Sequence, residues 1–319
     1  MEYQHTPVML NEIIKYLDPK PGENFIDCTL GGGGYTMAIA KRILPTGKIL
    51  AIDLDEAAIK NTQFQISNSQ FLNIILAHDN FKNIQKIVEK YFSPAGGFDG
   101  IVFDLGLSRA QLKDRTRGFS FGLADAPLGM NFGGQAGESA ENIVNSRSAD
   151  DLAGIFREYG EEKFAYKIAI AIVKQRQIKK IQTAGELVKI IMDAVPRKLQ
   201  PARIHPATKV FQALRIAVNR ELENLRSALP QALALLKPGG RLAVISYHSL
   251  EDRIVKQYFK QESRDCLCPP AIPICQCGHL AQLKIINKGI LRPTEEEALN
   301  NPSSRSAKLR LAVKIHPVK

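Results

Sequence analysis

Gly31, Gly32, Gly33 and Gly34 stand between an apolar run, "NFIDCT", and a stretch of helical character that begins near Tyr35. Four glycines at a strand-to-helix turn leave backbone N–H groups open to a ligand at a helix N-terminus. Dinucleotides and S-adenosylmethionine both use that geometry. The dinucleotide spacing G-x-G-x-x-G/A gives Gly31, Gly33 and then Thr36, so its third small position is missing. Asp53 ends the next apolar run, "ILAIDLD", where a carboxylate accepts hydrogen bonds from ribose hydroxyls in either class. Asp104, in "FDLGLS", ends a further run and stands at the rim where a cofactor's reactive end would lie. Such a carboxylate can orient a weak nucleophile and take up its proton.

The elements that must position these residues alternate. Strands are expected in 24–29, 46–55, 73–79 and 98–106, with helices from about Tyr35 to Ile43 and over 57–66 and 81–92. Near-continuous apolar strands between helices indicate a parallel sheet covered on both faces. From about Gln111 to Arg215 the pattern is helical, with no convincing strand. Helices are expected over 148–160, 161–177 and 183–195, the last opening on Thr183 and Glu186 in capping-box spacing. A long helix is expected over 206–229, with Pro230 starting a short one. Strand character returns at 241–249 and 308–315, around a helix at 250–262 that Ser249 and Asp252 would cap. The expected organisation is an α/β domain in two parts, 1–110 and 217–319, interrupted by an all-helical insertion at 111–216.

The chain has 319 residues, is 45% hydrophobic and carries a formal charge of +11. The composition excludes a disordered chain, and the charge favours polyanionic partners. Residues 170–220 hold 11 Lys or Arg and 2 Asp or Glu, so the insertion carries most of the excess. There is no signal-peptide pattern and no apolar run long enough for a membrane span, and a cytoplasmic location is expected. Of five cysteines, Cys266, Cys268, Cys275 and Cys277 crowd into "CLCPPAIPICQC". Their C-x-C pairs depart from the usual C-x₂-C zinc spacing. A reduced proline-rich loop is preferred to a zinc site, and no metal is assigned.

Several stretches taken together carry a resemblance: "HTPVMLNE", "DCTLGGGGYT", "AIDLD", "DGIVFDLGLS", "RGFSF", "YGEEKFA", "HPATKVFQALRIAVNREL", "PGGRLAVISYHSLEDRIVK" and "NPSSRSAKLR". In this order, from His5 to about Val313, the chain resembles the RsmH (MraW) family of bacterial 16S ribosomal RNA cytidine methyltransferases. The resemblance implies a class I S-adenosylmethionine methyltransferase, with a Rossmann-like, mostly parallel sheet and a helical insertion. The implied reaction methylates the exocyclic N(4) of a cytidine in the decoding centre of the small ribosomal subunit. The implied cofactor contacts are Gly33, Gly34, Tyr35, Asp53, Phe81, Asp104 and Gln111, with Asp104 also the candidate catalytic group. The implied partner is 16S rRNA or the small subunit; a homodimer is left open.

This sequence departs from the family pattern in three places. Tyr35 replaces a usual histidine, and Arg109-Ala110 replace Ser-Pro. Gly129 and Asn131 replace an aspartate and an arginine, a change that bears on RNA handling more than on cofactor binding. Phe119, Phe121 and Tyr247 are candidate stacking surfaces for a flipped base, with core packing the competing reading, and His248 is a candidate phosphate or base contact. Two other functions are weighed: a nicotinamide dinucleotide enzyme, and a catalytically silent RNA-binding or assembly protein.

Overall fold

The computed structural model describes residues 7–68, 71–133, 137–196, 205–269, 274–287 and 289–316. The chain folds as two compact units. One contains the residues through Gly106 and those from Leu222 onward; the other runs from Leu107 to Glu221.

The first unit is built on a seven-stranded sheet. Its elements up to the insertion are α1 (Leu10–Leu17), β1 (Phe25–Asp27), α2 (Gly34–Ile43), β2 (Ile49–Asp53), α3 (Glu56–Ser67), β3 (Ile74–His78), α4 (Ile84–Tyr91) and β4 (Phe98–Asp104). The helical unit holds α5 (Arg109–Lys113), α6 (Ala140–Ser146), α7 (Ala149–Gly160), α8 (Ala165–Ile178), α9 (Ala184–Ala194) and α10 (Ala207–Asn219). The chain then continues through α11 (Glu221–Leu235), β5 (Leu236–Ser246), α12 (Ser249–Glu262), β6 (Leu283–Ile285), α13 (Glu295–Asn300) and β7 (Lys308–Lys314).

The strand order is β3-β2-β1-β4-β5-β7-β6. Strands β1 to β5 are parallel, and β7 runs antiparallel to both β5 and β6. Ile49 to Ile52, Ile101 to Phe103 and Leu242 to Ile245 are fully buried, as strands covered on both faces must be. The order reverses between β1 and β4, which puts the carboxyl ends of these strands at the switch point of the sheet. At the opposite end of β4 its pairing with β5 slips: Phe98 faces Leu236 but Gly100 faces Arg241, so the "KPGG" segment bulges out.

The two units have separate cores. Val8, Ile13, Phe25, Ile39, Ile49, Leu309 and Leu311 belong to that of the sheet unit. Leu152, Phe156, Ile168, Leu187, Val210 and Leu214 belong to that of the helical unit. The helical unit's outer turns are fixed by caps: Ser148 with Asp151, and Thr183 with Glu186, form reciprocal capping boxes.

Several sequence expectations are corrected. The long helix over 206–229 is broken: α10 ends at Asn219, and Arg220 adopts a left-handed conformation with φ 52°. Pro230 does not start a helix but lies inside α11, where buried Leu229, Ala232 and Leu233 hold the helix despite the lost N–H. Glu161, left-handed at φ 49°, ends α7, so the next helix begins at Ala165 instead of 161. Helix α12 is capped by His248, not Ser249, and Glu251 completes the capping box. Asp252 instead receives a hydrogen bond from Arg310 Nε at 2.7 Å.

Candidate active site

The glycine turn is shaped by close approaches as much as by backbone freedom. Gly33 caps α2 with φ 78°, which favours glycine. A Cβ on Gly34 would lie 2.4 Å from Cγ of Pro7. Gly34 and Tyr35 open α2, so their N–H groups have no intrahelical acceptor. The Tyr35 ring is buried in the core of the sheet unit, and its hydroxyl donates to the Val8 carbonyl. Any contact Tyr35 offers a ligand is therefore through its backbone.

Asp53, the last residue of β2, ties the turn to the sheet. Its Oδ2 accepts from Gly31 N at 2.8 Å and its Oδ1 from Asp55 N at 2.8 Å. The Asp53 carbonyl accepts from Asp79 N at 3.0 Å, drawing the loop after β3 to the same rim. In that loop Phe81 packs edge-on against Phe103 of β4, with ring centroids 5.6 Å apart. Burial pushes the Asp53 carboxyl up to about 6, against the pull of its two amide donors.

Asp104, the last residue of β4, is held from two sides. Its N–H donates to Thr29 Oγ1 at 2.6 Å, and its Oδ1 accepts from the Tyr247 hydroxyl at 2.7 Å. Burial raises its pKa to about 7, with Asp27 and Glu251 adding to the rise and the Tyr247 hydrogen bond opposing it. Gly106 follows with φ 98°, and a Cβ there would meet the Tyr247 ring at 3.2 Å. Tyr247, read from the sequence as a stacking candidate, is thus a partner of Asp104.

Asp27, the last residue of β1, was not singled out by sequence reasoning. It is fully buried, accepts from Thr36 Oγ1 at 2.7 Å and from Thr29 N at 3.1 Å, and is raised to about 6 by burial. A carboxylate directly before "CTLGGGG" was the available signal. Three strands of the sheet therefore end in a carboxyl group whose charged form is disfavoured by burial. Among the described residues no lysine or arginine pairs with any of the three. Such a rim suits a cationic ligand. The sulfonium and ammonium of S-adenosylmethionine fit a rim that offers the Asp104 carboxyl, with Asp53 available to ribose hydroxyls.

The remaining candidates lie elsewhere or serve other ends. Gln111 belongs to the helical unit, where it completes a capping box: its Oε1 accepts from Ser108 N at 3.0 Å. In the same unit Phe119 stacks on Phe132 at 5.2 Å and Phe121 on His205 at 4.9 Å. His248 accepts from Glu251 N through Nδ1 as the cap of α12. At the departures from the family pattern, a Cβ on Gly129 would press on the Arg117 carbonyl at 3.1 Å, and Asn131 Oδ1 accepts from Gly133 N at 2.8 Å. Arg117 in turn donates to the Asn131 and Phe132 carbonyls. Both departures are absorbed into one local turn.

The basic stretch is partly engaged internally. Lys179 pairs with Glu186 at 2.6 Å, Lys180 with Glu141 at 2.7 Å, and Arg215 with Glu221 at 2.8 Å. Lys174 and Lys189 are exposed, while Arg197, Lys198 and Arg203 lie outside the described residues. Among the described residues no helix is long and apolar enough to cross a membrane.

The model of the MraW methylase family matches residues 2–315. A protein of Thermomicrobium roseum named ribosomal RNA small subunit methyltransferase H is 47% identical over 98% of this chain and 94% of its own length. Proteins of the same name from Syntrophotalea carbinolica and Clostridium botulinum are each 46% identical, covering 97% and 99% of this chain and 97% and 100% of their own. An rRNA methylase structure from Streptococcus thermophilus aligns at a TM-score of 0.41 and 12% identity, over 94% of this chain and 92% of that one, too loosely to argue from. With the family match spanning nearly the whole sequence and relatives close to half identical at full length, the chain belongs to the MraW methylase family.

Proposed function

We propose that this protein methylates the exocyclic N(4) of a cytidine in the decoding centre of 16S rRNA, with the helical unit handling the RNA. The names of its relatives and the sequence resemblance support the substrate class. The observation that carries the chemistry is Asp104, a carboxyl with a pKa near 7 held by Tyr247 at the switch point of the sheet.

An exocyclic cytosine amine is a poor nucleophile, because its lone pair is delocalised into the ring. When bound, S-adenosylmethionine supplies an electrophilic methyl group on a positively charged sulfur. Asp104 in its carboxylate form accepts a hydrogen bond from the amine, fixes the direction of the lone pair and takes up the proton that methylation releases. A pKa close to the working pH suits both accepting that proton and returning it to solvent. Asp53 and the α2 N-terminus hold the nucleoside end of the cofactor.

The test is methyl transfer to small subunits that lack the modification, with nucleosides of the recovered RNA identified by mass spectrometry. N(4)-methylcytidine at one site is the expected product. Methylation at carbon 5, or no transfer by protein that binds the cofactor, would overturn this reading.

A further inference from the structure

Between α12 and β6 the chain makes an excursion from Ser263 to Gln282. Its neck is closed by Gln282 N donating to the Glu262 carbonyl at 2.8 Å. None of its described residues is buried, and none lies in a helix or strand. A loop of this kind has no apolar core to organise it. Its four cysteines nevertheless converge: the Sγ atoms of Cys266, Cys268, Cys275 and Cys277 all lie within 4.8 Å of one another.

The spacing of the sulfurs identifies what they suit. Cys275 and Cys277 are 3.6 Å apart, and Cys266 and Cys277 3.8 Å. A disulfide would need about 2.05 Å. A tetrahedron of zinc–sulfur bonds of about 2.3 Å has edges of about 3.8 Å. An iron–sulfur cluster, with several metal atoms between its ligands, holds its four thiolates farther apart than one ion does.

The backbone is also turned toward sulfur. Cys268 N donates to Cys266 Sγ at 3.3 Å, Leu267 N to Cys277 Sγ at 3.3 Å, and Gln276 N to Cys268 Sγ at 3.4 Å. Such donors favour thiolate over thiol and orient metal ligands from outside the coordination shell.

We propose that Cys266, Cys268, Cys275 and Cys277 bind one zinc ion as four thiolates. Four zinc–sulfur bonds form, each thiol gives its proton to the buffer, and nothing is oxidised or reduced. With all four positions taken by protein, the site is structural, standing in for the core that the excursion lacks. This reverses the preference for a metal-free loop that the C-x-C spacing suggested.

The experiment uses the full-length protein, purified under reducing conditions without chelator and supplied with zinc salts. Elemental analysis should give one zinc per chain, released as a mercurial titrates four thiols. Cobalt(II) in place of zinc should give the intense visible absorption of a tetrahedral tetrathiolate complex. Cys268→Ala combined with Cys277→Ala should abolish both signals. Because the readouts belong to the wild-type protein as well, a misfolded variant would not hide the answer. Protein that takes up neither metal while all four thiols react freely would overturn the proposal. So would one iron per chain in place of zinc.

Discussion

Asp104 is pulled in two directions, its pKa raised by burial and lowered by the Tyr247 hydroxyl. Only the carboxylate form can accept the amine proton, so single-turnover methyl transfer should rise with pH and level off above about 7. In Tyr247→Phe the larger of the two opposing hydrogen bonds is gone, that from Tyr35 remaining, and the midpoint of that profile should move to higher pH. Asp104→Asn keeps the shape and removes the base. It should slow transfer by about 10²-fold or more while cofactor affinity, followed by calorimetry, changes little. Lost affinity with an intact rate would instead make Asp104 a ligand of the cofactor's ammonium. Asp53→Ala should weaken cofactor binding by about 1–3 kcal/mol, and because Gly31 and Asp55 also lose their acceptor it should lower the thermal midpoint as well. Asp53 and Asp104 were legible because each closes an apolar run. Asp27 closes an apolar run as well and was passed over; what sets it apart, its hydrogen bonds from Thr29 and Thr36, is not revealed by strand patterning.

At the scale of elements, the glycine turn contains a packing requirement that its sequence did not announce. Gly34→Ala adds a favourable helix residue, yet its Cβ would enter the space of Pro7. The displaced segment should cost about 1–3 kcal/mol, measurable by urea denaturation; an unchanged midpoint would mean that the Pro7 segment moves away at no cost. The strands from β1 to β5 and β7 could be found from runs of buried aliphatic residues. Strand β6 could not, since three residues at a sheet edge carry too little pattern. The break at Arg220 was hidden for a different reason. Residues 206–229 read as one amphipathic run, and neither glycine nor proline marks the left-handed residue that divides it. Pro230 misled in the opposite sense, since burial around it outweighs the local penalty.

On the scale of the whole molecule, the insertion expected at 111–216 rests on the switch from α/β alternation to helices alone, and the second compact unit runs from Leu107 to Glu221. Its charge was legible in amount but not in availability, because Lys179, Lys180 and Arg215 are engaged by Glu186, Glu141 and Glu221. The exposed Lys174 and Lys189 are better probes. Lys174→Glu with Lys189→Glu should weaken RNA binding and flatten its dependence on salt concentration, measured by fluorescence anisotropy; an unchanged slope would move the RNA contact elsewhere. The insertion also sets a schedule for synthesis. β4 finds its partner β5 only after about 130 further residues have left the ribosome, which at ordinary elongation rates takes roughly 7–26 s. During that interval β4, with Ile101, Val102 and Phe103 at its centre, is left unpaired at the edge of the nascent half-sheet. Chaperone demand for this protein should therefore peak midway through translation and fall once β5 emerges, a course that ribosome-associated crosslinking of arrested chains would follow.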